Sequence, residues 1–571
     1  MSKKDILYKP KDYSNFNLTF PEVDKLIDVI ELIKRRKIKD NDVKINYIDP
    51  FNHVKTLLNP VNHLIIGRRG SGKTSLLIKV IEEIRKREGI ITIIDMQGKQ
   101  RKSSDLQLTE ILIILINELK NNLESLNKWE PYINRITKVK YYKLKSIYYK
   151  LFKKENIWSN KDLELDRLYQ QLILILEKLD TIKLTPNGAN IKINKSTISK
   201  RNFNSSNSIK AFLNFDSEYL KLVNLNLSSE STYTIVSEDS HEKTFEFTSV
   251  YSKQDALNHL KDEIIDCLIG FNKVFNKPIY LILDDFYQIP IYNQPYIFQY
   301  LHDLNKETIN MSFSYKVCLV PNRFKLNEDD NKILSHKDDF STINLDREFY
   351  DLEANKDLLF KILCSLDPKL NFTTSKITKL FNDTLVLNDC IRASGALPRY
   401  FLDVFSHMIK FSKAENQTKI HRMVLSQVVR EIKKSKDGLI AEEAYLPEDQ
   451  IRKLYNIIEE EVIHGLQTNV ILYPYISFKE NEDVLNTLIN LGYIHRIKES
   501  IIVEKINYAP LFIDMIFTHT KSDKMPKNFK DVKFWDQDGK ILHKCLKWEF
   551  SNDKLNGILN VSNFSNEINV N

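Results

Sequence analysis

Gly67-Arg68-Arg69-Gly70-Ser71-Gly72-Lys73-Thr74 follows the apolar run Leu64-Ile65-Ile66 and precedes the helix-forming Ser75-Leu76-Leu77-Ile78-Lys79-Val80. The spacing is G-x-x-x-x-G-K-[ST] in a strand, loop, helix setting, and each residue type has a physical task there. Glycines let the backbone curl until successive N–H groups face phosphate oxygens, and the helix that follows turns its positive end on the same anion. Lys73 is placed for the β and γ phosphates, and the Thr74 hydroxyl for Mg2+. The expected nucleotide cradle is therefore Gly67, Arg68, Arg69, Gly70, Ser71, Gly72, Lys73, Thr74 and Ser75. With only 13 glycines in 571 residues, coincidence is a poor explanation.

A second signal is Pro278-Ile279-Tyr280-Leu281-Ile282-Leu283-Asp284-Asp285. A continuous apolar strand ending in two acids is what a Walker B segment requires: Asp284 to orient Mg2+ and its waters, Asp285 to polarise the attacking water. It arrives far later than the roughly thirty residues of a βαβ unit allow, so a large insertion is expected over about 100–250. Lys316 to Val320 reads as another buried strand. Asn322 and Arg323 follow its C-terminal end, where a parallel sheet aims residues at a ligand, and Asn322 is the expected γ-phosphate sensor. Ile90 to Asp95 and Thr342 to Arg347 complete the strand set.

Elsewhere the chain is read in order. Pro21 and Glu22 open a helix closed by Lys34-Arg35-Arg36-Lys37, where cations suit the helix terminus. The loop from Pro50 to Pro60 leads into the phosphate loop. The insertion begins helical, with an apolar stripe from Leu106 to Leu119 and a second helix capped by Ser159. Between them Tyr141, Tyr142, Tyr148 and Tyr149 alternate with lysines, a pattern shared by solvated helices and nucleic-acid binders. From Thr185 to Thr244 a loop-rich excursion with weak strands is expected, then a helix from Gln254 to Phe275.

Composition bounds the class. The chain is 42% hydrophobic and 28% charged, with a formal charge of +8, which permits nucleic-acid contact without demanding it. The longest apolar run, Ile111 to Ile116, is too short to cross a bilayer, and the start lacks the apolar core of a signal peptide. Five scattered cysteines fit a reducing compartment, and a cytoplasmic location with no membrane contact is expected. No H-E-x-x-H, spaced Cys/His set or G-x-S-x-G occurs, so hydrolysis of anything but a nucleotide has no motif behind it.

Together with Gly395-Ala396-Leu397-Pro398-Arg399-Tyr400-Phe401, the two nucleotide motifs resemble the AAA+ superfamily, and within it the origin-recognition-like and STAND-like bacterial ATPases. The resemblance implies ATP and Mg2+ as ligands, a helical lid carrying a G-x-x-P-R segment, and Arg399 as the lid arginine that reaches the γ phosphate. It implies Lys73, Asp284, Asp285, Asn322 and Arg399 as the catalytic set and Thr74 with Asp284 as the metal ligands. Asp285 departs from the Glu usual in that family, which shortens the base by one methylene. Arg323 and Arg347 are equal candidates for an arginine finger.

The expected architecture is an α/β P-loop NTPase: a parallel sheet flanked by helices, with a large mainly helical insertion, a C-terminal helical lid and a winged-helix-like domain. Boundaries are expected at 1–55 for an N-terminal helical segment, 56–350 for the ATPase core, 351–425 for the lid, 426–520 for the winged-helix-like domain and 521–571 for a hairpin and tail. The winged helix is read from a helix Glu482 to Leu491, Gly492 as its stop, and strands Tyr493 to Ile497 and Ile501 to Val503 as a hairpin. Its helix is acidic; its basic residues, His495, Arg496, Lys498 and Lys505, lie on the wing. Val532 to Trp535 and Ile541 to Lys544, flanking Asp538-Gly539, read as a further hairpin. The expected function is an ATP-binding and ATP-hydrolysing regulatory ATPase whose nucleotide state controls conformation or assembly, as a homo-oligomer or with a protein effector, with bacterial antiviral defence as one setting. Two alternatives stand beside it: an initiator-like ATPase that binds DNA through the wing or the insertion, and a nucleotide-bound scaffold with little turnover.

Overall fold

The computed structural model describes residues 16–34, 47–98, 102–125, 160–186, 191–194, 233–235, 245–308, 313–328, 333–443, 446–519 and 526–559. The basic run beyond Lys34, the lysine-tyrosine stretch 138–150, Ser159, most of 185–244 and the last twelve residues lie outside them.

Strands run in chain order as β1 (His63–Ile66), β2 (Ile90–Asp95), β3 (Ile191–Asn194), β4 (Tyr233–Ile235), β5 (Phe245–Tyr251), β6 (Ile279–Asp284), β7 (Phe313–Leu319) and β8 (Ser341–Asn344). Five form one parallel sheet in the order β2-β6-β7-β1-β8, with Ile65 beside Cys318, Ile66 beside Asn344 and Asp95 beside Asp284. Every residue of β6 and β7 is buried, which is why they read as unbroken apolar runs rather than alternating ones. β7 separates the phosphate-loop strand β1 from the acid-bearing strand β6. The chain reverses its winding direction there, and ligands of such sheets bind at the carboxyl ends of strands around that point.

Helices Ser104–Glu124, Asn160–Leu184 and Lys253–Phe275 stack beside the sheet, the first two within the stretch expected as an insertion and the third just after it. Leu112, Leu115, Leu172, Ile175 and Leu268 share one buried cluster with Leu281 and Val317 of the sheet. Ser252 caps the third helix by accepting the Asp255 N–H at 3.1 Å. β3, β5 and β4 form a small antiparallel sheet.

Four helices follow the core: Leu352–Ser365, Thr374–Lys379, Thr384–Ala393 and Pro398–Ala414. Asp351, Thr373 and Asp383 cap the first three, each accepting a backbone N–H from the first turn. The N-terminal helix Pro21–Lys34 packs on the fourth, with Lys410 and Lys413 paired to Glu31 and Asp24.

Helix Arg422–Glu443 runs across the expected 425/426 boundary, and one apolar cluster continues from Phe401 and Phe405 through Val428 and Leu454 to Leu485 and Phe512. The C-terminal sheet contains β9 (Val470–Pro474), β10 (Ile494–Arg496), β11 (Ile501–Val503), β12 (Ile506–Ile513) and β13 (Leu546–Lys547). Helix Glu482–Asn490 and the stop at Gly492, with φ of 73°, are as expected.

Two expectations are corrected. β10 and β11 do not pair with each other; both pair with β12, Ile494 opposite Ile513 and Ile501 opposite Tyr508. The tight turn is Glu504-Lys505, both at positive φ of 52° and 67°, the geometry of a two-residue hairpin turn whose twist suits the strands it joins. The hairpin expected around Asp538-Gly539 is instead a 3-10 segment, Asp536–Lys544. Phe534, fully buried, packs on Phe349 and Phe512. Burial of that ring decides the path of the tail over the local turn signal.

Candidate nucleotide site

The glycine-rich loop leaves β1 tied to both neighbouring strands. The Gly67 N–H donates to Leu319 O at 3.2 Å on β7. The Arg68 N–H donates to both carboxylate oxygens of Asp346, just beyond β8, at 2.9 and 3.0 Å. Gly70 and Gly72 take φ of 84° and 99°, values that a side chain would resist. A Cβ on Gly67 would fall 2.5 Å from Ser71 Oγ and 3.2 Å from Leu345 Cβ, so a side chain there would displace Ser71.

Helix Lys73–Lys86 starts at Gly72 without a side-chain cap, leaving its first-turn N–H groups without intrahelical acceptors. Ser71 Oγ is buried beside them with no hydrogen-bond partner. An uncapped helix start and an unsatisfied hydroxyl in a glycine-rich curl are the donor set of a phosphate site.

Lys73 is buried and folds its ammonium back onto Gly67 O at 2.6 Å and Arg68 O at 3.1 Å. Burial lowers its pKa, opposed by Cys318, Asp346, Asp284 and Asp285. Thr74 Oγ1 donates to Asp284 Oδ2 at 2.8 Å. The two expected metal ligands, one on the helix and one on β6, therefore already meet. Burial, and then the neighbouring Asp285, push the Asp284 carboxyl up to about 6. Asp285 stands in the left-handed region at φ of 51°, which turns it off the strand. Burial raises its pKa, with Lys73 opposing and Asp95 adding to the rise. This group of acids holds a charge deficit that a divalent cation relieves, and Thr74 with Asp284 fit that role.

Arg399 is the second residue of helix Pro398–Ala414. Its N–H donates to Gly70 O at 3.2 Å, and its Cβ lies 3.0 Å from where a Cβ on Gly70 would sit. Its guanidinium and that of Arg69 are close enough to Asp285 to lower the carboxyl's pKa. Lys73, Thr74, Asp284, Asp285 and Arg399 thus converge. Asn322 does not join them by any direct contact: it is exposed in the turn after β7, at φ of 57°, in a polar cleft with Asp483, Asn486, Thr487 and Asn490 of the C-terminal domain. Asn490 Nδ2 donates to Pro321 O at 3.2 Å across that cleft.

Of the two arginine-finger candidates, Arg323 lies 5.1 Å from the ring centre of Tyr287, and Arg347 lies 5.0 Å from that of Phe51 and donates to Ala354 O at 3.4 Å. The wing is corrected too. His495 is buried, its Nε2 2.7 Å from Asp514 Oδ2, with Lys436 Nζ 2.9 Å from the same oxygen. It packs against Gly395, where a Cβ would fall 2.3 Å from its Cε1. Arg496 and Lys498 lie over the rings of Phe478 and Tyr350.

Asp346 and Asp95 escaped the sequence reading. Each follows or ends a strand of the parallel sheet, the rule that found Asp284, but neither adjoins a recognised motif.

This is an α/β P-loop NTPase fold. No family model matches the chain, and no curated protein matches it. Among solved structures, Cdc6p from Pyrobaculum aerophilum aligns with a TM-score of 0.30 at 11% identity, covering 83% of this chain and 94% of that one. The Walker-type ATPase PABY2304 of Pyrococcus abyssi aligns with a TM-score of 0.32 at 10% identity, covering 85% and 99%. Likeness at that distance assigns no residue roles. Among the described residues no helix is long and apolar enough to cross a membrane.

Proposed function

We propose that the chain is an ATP-binding and ATP-hydrolysing regulatory ATPase of AAA+ type, whose nucleotide state sets the angle of the lid. The observation that carries this is the Thr74 to Asp284 bond of 2.8 Å beneath a glycine-rich loop that touches Arg399. Lys73 swings from the loop carbonyls to the β and γ phosphates, where its ammonium offsets charge that builds in transfer. Asp285 accepts a hydrogen bond from the attacking water and holds it in line. Arg399 meets the γ phosphate from the lid, so loss of that phosphate frees the lid helix. Bound Mg2+, held by Thr74 and Asp284, supplies charge neutralisation on the phosphates.

Of the wing residues behind the DNA-binding alternative, His495 is inside the protein, Arg496 and Lys498 lie over aromatic rings and Lys505 is exposed; the lysine-tyrosine stretch 138–150 lies outside the described residues. The test is ATP turnover by purified protein beside Lys73→Ala and Asp285→Asn, with and without duplex DNA. Turnover that needs Lys73 and Asp285 and ignores DNA is expected. Binding without turnover would leave a scaffold, and turnover indifferent to Lys73 would sink the assignment.

A further inference from the structure

One peptide unit in the phosphate loop is held from both sides. The carbonyl of Gly67 and the N–H of Arg68 belong to the same plane. The carbonyl accepts the Lys73 ammonium at 2.6 Å, and the N–H donates to Asp346 at 2.9 and 3.0 Å. Asp346 is itself aimed: its N–H donates to Asn344 Oδ1 at 2.9 Å, and the Leu345 N–H to Ile66 O at 2.8 Å, so the chain past β8 stays registered on β1. Arg68 Nε lies 3.5 Å from the same carboxylate, closing a small ring of contacts around a nearly buried side chain.

On the nucleotide reading above, on which this inference rests, Lys73 must release the Gly67 carbonyl when it turns to the phosphates. From that moment Asp346 alone fixes the peptide plane. We infer that Asp346 is the positioning residue for the phosphate loop: it keeps the Gly67–Arg68 peptide from rotating once Lys73 leaves, and so sets the affinity for nucleotide rather than the rate of the chemical step. Its carboxylate touches neither phosphate nor water in this role. Any acceptor at that place serves, so the amide of Asn does much of the work of the carboxylate.

The experiment is titration with a fluorescent N-methylanthraniloyl ATP in Mg2+, alongside steady-state turnover, for wild type, Lys73→Ala, Asp346→Ala and Asp346→Asn. Asp346→Ala is expected to bind about tenfold more weakly, the equivalent of one charge-assisted hydrogen bond. KM should rise with it while kcat at saturation holds, because the peptide is held correctly whenever nucleotide is bound. Asp346→Asn should recover to within about threefold of wild type. An Ala variant that binds like wild type, an Asn variant as poor as Ala, or a fall in kcat at unchanged KM would each overturn the inference. If Asp346→Ala does not fold, Asn344→Ala at its exposed site carries the test, with binding about threefold weaker expected and unchanged binding overturning it. Wild-type protein that fails to bind the probe would overturn the nucleotide reading itself; binding by wild type that is lost in Lys73→Ala and intact in Asp346→Ala would overturn only the role of Asp346.

Discussion

Lys73 and Lys316 are both buried, both give their ammonium groups to backbone carbonyls, and lie at opposite ends of one sheet. Lys73 has Asp284, Asp285 and Asp346 near it. Lys316, fully buried midway along β7, reaches back toward the amino ends of the strands and donates to Asn59 O at 2.8 Å and Val61 O at 2.5 Å, with His63 Nδ1 3.0 Å away. Burial alone pushes Lys316 well below its ordinary pKa. The difference separates a site from a staple. At the carboxyl ends of the strands a cation is stocked with acids, an arrangement that admits a further cation and a phosphate chain together. At the amino ends a cation satisfies carbonyls of the loop entering β1, with no carboxylate among the causes of its shift.

Substitutions sharpen or break that contrast. Lys73→Ala should cut turnover on the order of a thousandfold while thermal unfolding stays near that of wild type; a large loss of stability would make Lys73 a staple as well. Lys436 offers a third kind of buried lysine, bonded to Asp514 and to Gly492 O. Lys436→Met leaves the buried Asp514 carboxylate with His495 and the Ile516 N–H but without its ammonium, and should cost about 3 kcal/mol in denaturant unfolding. Lys316→Met leaves carbonyls without a donor but buries no acid, so about 2 kcal/mol is expected, with turnover unchanged. Lost turnover in a folded Lys316→Met protein would break the contrast.

The smallest effect is a pair of opposite pH slopes. Asp284 is raised from 3.8 to about 6, so its contribution to stability is present below pH 3.8 and is lost as pH rises to about 6. His63 is lowered by burial, and then by Lys316, from 6.5 to about 3; its contribution is present above 6.5 and is lost as pH falls toward 3. Denaturant unfolding between pH 4.5 and 6.5 should therefore rise more steeply with pH in Asp284→Asn and less steeply in His63→Gln. Slopes of the same sign would contradict the two environments.

The sheet was legible because buried parallel strands write themselves as unbroken apolar runs: β2 and β6 end where the sequence says they do, at Asp95 and Asp284. β12 was not, because Pro510 interrupts Ile506 to Ile513 and a proline argues against a central strand. Here Pro510 still serves as an acceptor, taking the Ile497 N–H at 2.9 Å. The placing of the Gly67–Thr74 loop, Asp284 and Asp285 together at the carboxyl ends of β1 and β6 was legible from local chemistry. Asp346 was not, since its partner Arg68 lies 278 positions away and only the pairing of β8 with β1 brings them together. His495 was misplaced for a related reason: in a short strand a basic residue looks solvated, and only tertiary packing supplies the Asp514 that lets it be buried.

The segment from Gly395 to Arg399 touches the C-terminal core through His495 at one end and the phosphate loop through Gly70 at the other. Four peptide units reach at most about 14 Å, so the two contacts are made within one short turn of chain. The helix that begins there, Pro398–Ala414, has 17 residues and is about 25 Å long. On the proposed reading it is a lever with its fulcrum against the Gly67–Thr74 loop. A tilt of about 10° at that fulcrum carries the far end, where Lys410 and Lys413 hold the N-terminal helix, through about 4 Å. A shift too small to notice at the phosphates becomes, at the outer edge of the protein, a displacement about as wide as the spacing between neighbouring strands.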